Sequence, residues 1–102
     1  MARNRKKKSG GTFVGTSFYQ APEMIESDIS GFFSDLWALG CIIFEMVSGT
    51  KMFHGKNNQA IFQKILDYDV QFPPFIDPLV KDLIQKLTDM DPQSRLGMRS
   101  FE

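Results

Sequence analysis

The sequence predicts an all-α fold with ordered loops. Three segments place apolar residues at helical spacing, and each is bounded by residues with capping chemistry. No run shows the two-residue alternation of a strand, and no internal repeat is present. At 102 residues the chain is one domain at most, with few residues to spare for a core.

The first eleven residues carry Arg3, Arg5, Lys6, Lys7 and Lys8, then Ser9-Gly10-Gly11. They read as a basic, disordered segment ending in a flexible joint. Next comes "GTFVGTSFYQAPEMI", Gly11 to Ile25. Pro22 and the glycines interrupt any helix, and the apolar residues keep neither a two-residue nor a 3.6-residue period. The stretch is nevertheless too aromatic for a solvated linker, so a structured, non-helical loop is expected.

The first helix is expected over "SDLWALGCIIFEMVS", Ser34 to Ser48. Ser34 is a candidate N-cap, Asp35 complements the dipole in the first turn, and Gly49 suits the C-cap. Leu36, Trp37, Leu39, Ile42, Ile43, Phe44, Met46 and Val47 leave hardly any polar face. A helix apolar all round is a buried one, so this segment is expected to be a central rod covered on every side.

Two amphipathic helices follow. Asn57 or Asn58 caps one running to about Leu66, with Ile61, Phe62, Ile65 and Leu66 as its apolar stripe. Asp77-Pro78 starts the other, with Asp as N-cap and Pro at the first helical position. Its stripe is Leu79, Val80, Leu83, Ile84, Leu87 and Met90, and Asp91-Pro92 ends it, because the residue before a proline avoids helical geometry. Two amphipathic helices are few to cover a rod apolar on all sides, which implies that part of the body lies outside these segments.

Composition excludes several classes. No apolar run reaches the eighteen or so residues of a membrane span, and the N-terminus lacks the apolar region of a secretory signal. A single cysteine, Cys41, forms no internal disulfide and no Cys-rich zinc site. An intracellular, cytoplasmic protein is expected. Cys41 lies inside the apolar helix and is read as a buried hydrophobe, and His54, the one histidine, as a surface loop residue. Neither composes a metal site. The chain is formally neutral, but outside the first eight residues seven basic residues face twelve acidic ones. A basic run suits nucleic acid or nuclear import, yet the acidic remainder offers no second basic surface and argues against a nucleic-acid module.

The aromatic loop becomes legible through a resemblance. "FVGTSFYQAPEM" resembles the end of the activation segment and the P+1 loop of eukaryotic serine/threonine protein kinases, whose signature includes Ala-Pro-Glu and an upstream phosphosite. "SDLWALGCIIFEM" is similar to the buried central helix of their large lobe, "IFQKIL" to the next helix, and "DLIQKLTDMDPQSRLG" to the segment with the late arginine. The four occur in the family's order. "FVGT", "DLWALGCII" and "IFQKI" are most similar to the phosphoinositide-dependent kinases, in the group related to protein kinases A, G and C. "GTKMF" departs from the commoner Gly-x-x-Pro-Phe turn, with Met52 in place of the proline.

The resemblance implies a partial kinase domain over residues 12–102, from the C-terminal part of the large lobe. It makes Thr12 the phosphorylation site, with Ser9 a weaker candidate, and Gly15-Thr16 the substrate-docking P+1 loop. It pairs the carboxylate of Glu23 with Arg95, and gives Asp35 the role of holding the catalytic loop. It also implies ATP and Mg as the family's cofactors, a protein or peptide substrate, and an activating kinase as partners. A Gly-rich loop, an ATP lysine with its glutamate, a catalytic aspartate and a metal-binding Asp-Phe-Gly are required for phosphoryl transfer. None of these appears in the 102 residues. The chain is therefore expected to belong to a Ser/Thr kinase but to be inactive alone; the alternative is a non-catalytic interaction module using the docking loop and the apolar helix.

Overall fold

A computed structural model describes residues 17–98. The basic segment and the candidate residues Ser9, Thr12, Gly15 and Thr16 lie outside the described residues. The described residues form four α-helices: α1 (Pro22–Ser27), α2 (Phe32–Ser48), α3 (Asn58–Asp67) and α4 (Pro78–Leu87). Short 3₁₀ turns occupy Ser17–Tyr19 and Pro92–Ser94. Among the described residues there is no strand, and the all-α expectation holds.

The aromatic loop is not wholly non-helical. Pro22 stands in the opening turn of α1, where its missing N–H is one the helix leaves unbonded anyway and its fixed φ is already helical. Read as an interruption, Pro22 is in fact a start. Helix α1 stops at Asp28, which turns left-handed at φ 54° and donates its N–H to Glu23 O.

Helix α2 begins at Phe32, two residues before the expected start, with Gly31 as N-cap and no side-chain cap. Ser34 is thus inside the helix and buried, free to bond elsewhere. At the other end Gly49 takes φ 84° and donates to Glu45 O, a left-handed stop that a residue without Cβ adopts at little cost.

Helix α3 is capped as its sequence implies, Asn57 Oδ1 accepting from Ala60 N at 2.8 Å. Asp77 Oδ1 likewise accepts from Leu79 N at 2.8 Å to open α4, with Pro78 in the first turn. Helix α4 ends at Leu87, sooner than Asp91-Pro92 suggests. Thr88 marks the stop: its N–H makes the last helical bond, to Ile84 O at 2.9 Å, its hydroxyl donates to the same carbonyl at 2.7 Å, and its backbone leaves helical geometry at φ −105° and ψ 41°. Asp91 instead caps the Pro92–Ser94 turn, accepting from Gln93 N and Ser94 Oγ.

The core gathers Trp37, Cys41 and Phe44 of α2 with Phe53, Ile61, Ile65, Ile76 and Ile84. Trp37 and Phe53 stack at 5.8 Å, and the Tyr68 ring meets both edge-on at 6.1 Å. Tyr68 ends α3 at φ 50°, an uncommon conformation for a non-glycine residue. Those two ring contacts and a 2.7 Å bond between its hydroxyl and Thr88 Oγ1 hold it there. Gly40 lets α2 and α4 approach: a Cβ at this position would lie 2.6 Å from Thr88 Cγ2 and 3.0 Å from Leu87 Cβ.

The rod is covered on one side. Ser34, Leu36, Trp37, Gly40, Cys41 and Phe44 are buried, whereas Phe32, Leu39, Ile42, Met46 and Val47 are exposed. The expectation of burial on every side therefore does not hold among the described residues. Helix α4 and both 3₁₀ turns pack on α2, while α3 lies chiefly against α1 and the Ser17–Tyr19 turn. In α4, Leu79 at the start of the helix and Met90 beyond its end are also exposed, so the working stripe is Val80, Leu83, Ile84 and Leu87.

Candidate functional site

Glu23 lies in the first turn of α1, four residues after the Tyr19 that closes the aromatic 3₁₀ turn. Arg95 follows the Pro92–Ser94 turn and is fully buried. The two meet as a bidentate pair: Nη1 donates to Oε2 and Nη2 to Oε1, both at 2.8 Å. This fork-on-fork geometry matches guanidinium to carboxylate.

The surroundings satisfy what the pair leaves over. Arg95 Nε donates to Asp89 O and Nη1 also to Phe33 O, each at 2.7 Å. Ser34 Oγ donates to Glu23 Oε2 at 2.8 Å. The guanidinium carbon sits 5.0 Å from the centre of the Trp37 ring, in cation–π range. Burial pushes the Glu23 carboxyl up, but the bonds from Arg95, its own backbone and Ser34, with the arginine charge, outweigh it. The net result is a pKa below the ordinary 4.5. A buried charge is tolerated only when paired and hydrogen-bonded, and this one is both. The arrangement ties α1, the start of α2 and the chain after α4 at one point.

Asp35 is exposed in the first turn of α2. It borders an open groove with Tyr19, Gln20, Met24, Ser30, Ser34 and Ala38, and its carboxylate takes no hydrogen bond among the described residues. Cys41 is buried, and burial pushes its thiol up to about 12, so it is an inert core group. His54 is exposed.

Some participants were not foreseen. Ser34, an N-cap candidate by sequence, instead donates to Glu23, and the carbonyls of Phe33 and Asp89 carry no sequence signal at all. A second network joins Tyr19 to α2: its hydroxyl donates to Glu45 Oε1 at 2.6 Å, and Lys51 Nζ reaches Glu45 Oε2 at 2.9 Å. Tyr19 and Lys51 are 32 positions apart, a separation no local pattern bridges.

Among the described residues, an all-helical body on a half-covered rod, with a buried Glu–Arg pair holding the helix that follows the aromatic turn, agrees with the part of a protein-kinase large lobe that the resemblance implies. The chain belongs to the protein kinase family: the protein kinase domain model matches residues 1–101. It is 40% identical over 97 residues to human 3-phosphoinositide-dependent protein kinase 1, covering 95% of this chain and 17% of that protein. The Arabidopsis thaliana 3-phosphoinositide-dependent protein kinase 1 is 43% identical over 89 residues, 87% of this chain and 18% of its own length. The human cAMP-dependent protein kinase catalytic subunit PRKX is 49% identical over 86 residues, 84% of this chain and 24% of its own. The resemblance to serine/threonine kinases, and to the phosphoinositide-dependent ones among them, is thus borne out. The chain spans less than a quarter of the length of each of these relatives. Among the described residues no helix is long and apolar enough to cross a membrane.

Proposed function

We propose that this chain serves as the substrate-docking part of an intracellular serine/threonine kinase large lobe, for transfer of the ATP γ-phosphoryl group to a protein hydroxyl. The observation that supports this is the buried Glu23–Arg95 pair. It fixes the helix that directly follows the aromatic loop onto the body, so a peptide laid against that loop meets a surface held in place. Gly15-Thr16 carries the docking surface, Thr12 takes the activating phosphate from another kinase, and Asp35 serves as the anchor of the parent domain's catalytic loop. A phosphate on Thr12 adds nearly two negative charges, which order such a loop by pairing with basic side chains.

The Gly-rich loop, lysine–glutamate pair, catalytic aspartate and Asp-Phe-Gly with which kinases hold Mg·ATP and transfer phosphate are not among the 102 residues. On this reading the chain alone docks a substrate without transferring phosphate. Calorimetry with Mg·ATP and a radiolabel transfer assay test this. Neither saturable binding at micromolar ATP nor transfer to a generic peptide is expected, and both together would overturn the reading. Treated with an active kinase of the same group, the chain should gain phosphate chiefly at Thr12; most of it on Ser9, Ser17 or Thr50 would count against the assignment.

The second reading, a non-catalytic interaction module, is favoured by the exposed apolar residues of α2, Met46 above all at 76% exposure. Capture of a substrate peptide through residues 15–20 supports the first reading; partner binding lost only on changing that α2 face supports the second.

A further inference from the structure

Lys51 stands two residues beyond the glycine that stops α2, and its side chain folds back toward the end of the helix. Its ammonium lies 2.9 Å from Glu45 Oε2 and donates to Tyr19 Oη at 3.1 Å. It also lies 5.2 Å from the centre of the Phe18 ring and 5.4 Å from that of Tyr19. These two rings meet edge-on at 6.5 Å. With Tyr19 Oη donating to Glu45 Oε1, both oxygens of that carboxylate are engaged from within the chain. Three side chains from two places in the sequence thus close on one cation.

We propose that Lys51 is a positioning residue for the docking segment. Its ammonium, shared between Glu45 and Tyr19 and set against two aromatic rings, fixes the turn after Gly15-Thr16 on the C-terminal end of α2. The inference rests on reading that segment as the docking surface. A cation is what the site requires: a ring face attracts positive charge, and a carboxylate beside a phenol pairs best with a donor that is charged. The bonds from Glu45 and then Tyr19 hold the Lys51 pKa above its ordinary value, and the bond from Lys51, then that from Tyr19, hold Glu45 below its own. Both groups thus stay charged across the neutral range. Lys51 and Glu45 are each about one-third exposed and neither belongs to the buried core. Losing the cation should therefore loosen the turn without loosening the body.

The experiment compares the full 102-residue chain with its Lys51→Met, Lys51→Arg and Glu45→Gln variants. Hydrogen exchange is followed segment by segment, together with the NMR signals of the Phe18 and Tyr19 rings. Lys51→Met keeps the stem but removes the charge, and should speed exchange over residues 17–24 about fivefold while shifting both ring signals. Exchange in α4 should stay as in the parent chain. Lys51→Arg should restore most of the protection, and Glu45→Gln should lose part of it. Unchanged exchange over residues 17–24 in Lys51→Met overturns the proposal. So does acceleration spread equally over α4, which marks a general structural role, and so does absence of rescue by arginine. Binding of a generic serine-containing substrate peptide, measured separately on the parent chain, bears on the docking reading. Its absence alongside the local exchange effect removes that reading and leaves the Lys51 clamp standing.

Discussion

Arg95 and Glu23, 72 positions apart, share two parallel hydrogen bonds of 2.8 Å in a site where the arginine has no solvent exposure. The guanidinium also serves two backbone carbonyls, those of Phe33 and Asp89. Removing it strands three acceptors at once, one of them charged. Arg95→Ala should cost about 3 to 5 kcal/mol of stability. Replacing both partners, as Glu23→Leu with Arg95→Met, should cost less than Arg95→Ala alone, because no buried carboxylate is then left unpaired. Urea unfolding of the three proteins checks the order; a double variant weaker than Arg95→Ala would contradict it.

The same pair sets a pH dependence. The folded Glu23 pKa lies below the ordinary 4.5 of the unfolded chain, so the unfolded state binds its proton first as pH falls. Stability from this group is fully present above the unfolded value and is lost as pH drops through the folded one. The urea midpoint should therefore fall as the pH drops below the ordinary carboxyl value of 4.5, and more steeply than in Glu23→Gln, which has no proton to take up there. Parallel profiles for the two proteins would assign the acid sensitivity to other carboxylates.

Gly40 marks the closest approach of α2 and α4. The methyl of Gly40→Ala would stand 2.6 Å from Thr88 Cγ2 and 3.0 Å from Leu87 Cβ. Overpacking of this kind costs about 1 to 3 kcal/mol, against a gain of about 1 kcal/mol in helix propensity. A net loss is expected. Thr88→Ser removes the nearer atom but keeps the hydroxyl that bonds Ile84 O and Tyr68, so Gly40→Ala with Thr88→Ser should recover part of it. Thermal unfolding of both variants measures this; no recovery would place the strain on Leu87.

The caps of α3 and α4 were readable because they are local. Asn57 and Asp77 each bond an N–H two or three residues on, and Asp77-Pro78 fixes the first turn by itself. The boundaries that escaped depend on distant partners. Ser34 can cap a helix or donate to a carboxylate, and only Glu23, 11 positions away in sequence, decides which. Pro22 interrupts a helix or begins one according to what precedes it in space. The end of α4 rests on Thr88, whose hydroxyl also meets Tyr68 across 20 positions. In the candidate site, a family motif pointed to Glu23 and Arg95, but the carbonyls of Phe33 and Asp89 and the Lys51 clamp belong to tertiary geometry that no spacing encodes.

The apolar side of α2 carries the last prediction. Leu39, Ile42, Met46 and Val47 are 40 to 76% exposed, and Phe32, about two turns ahead of Leu39 on the same helix, is 54% exposed. Each large apolar side chain kept in water forgoes part of the roughly 1.5 to 3 kcal/mol that full burial would give. A contiguous patch of this kind drives association or binds other apolar surfaces. The chain should accordingly bind a hydrophobic dye and self-associate with rising concentration. Changing Leu39, Ile42 and Met46 together to glutamine should lower both while leaving far-ultraviolet circular dichroism near that of the parent. The buried face, Trp37, Gly40, Cys41 and Phe44, is untouched by these changes, and glutamine is a good helix former. The Glu23–Arg95 pair cannot substitute for such cover, since an ion pair hides little apolar area. Dye binding and association unchanged in the triple variant would locate the adhesive surface elsewhere, with exposed Phe75 and Leu79 at the start of α4 the next residues to alter.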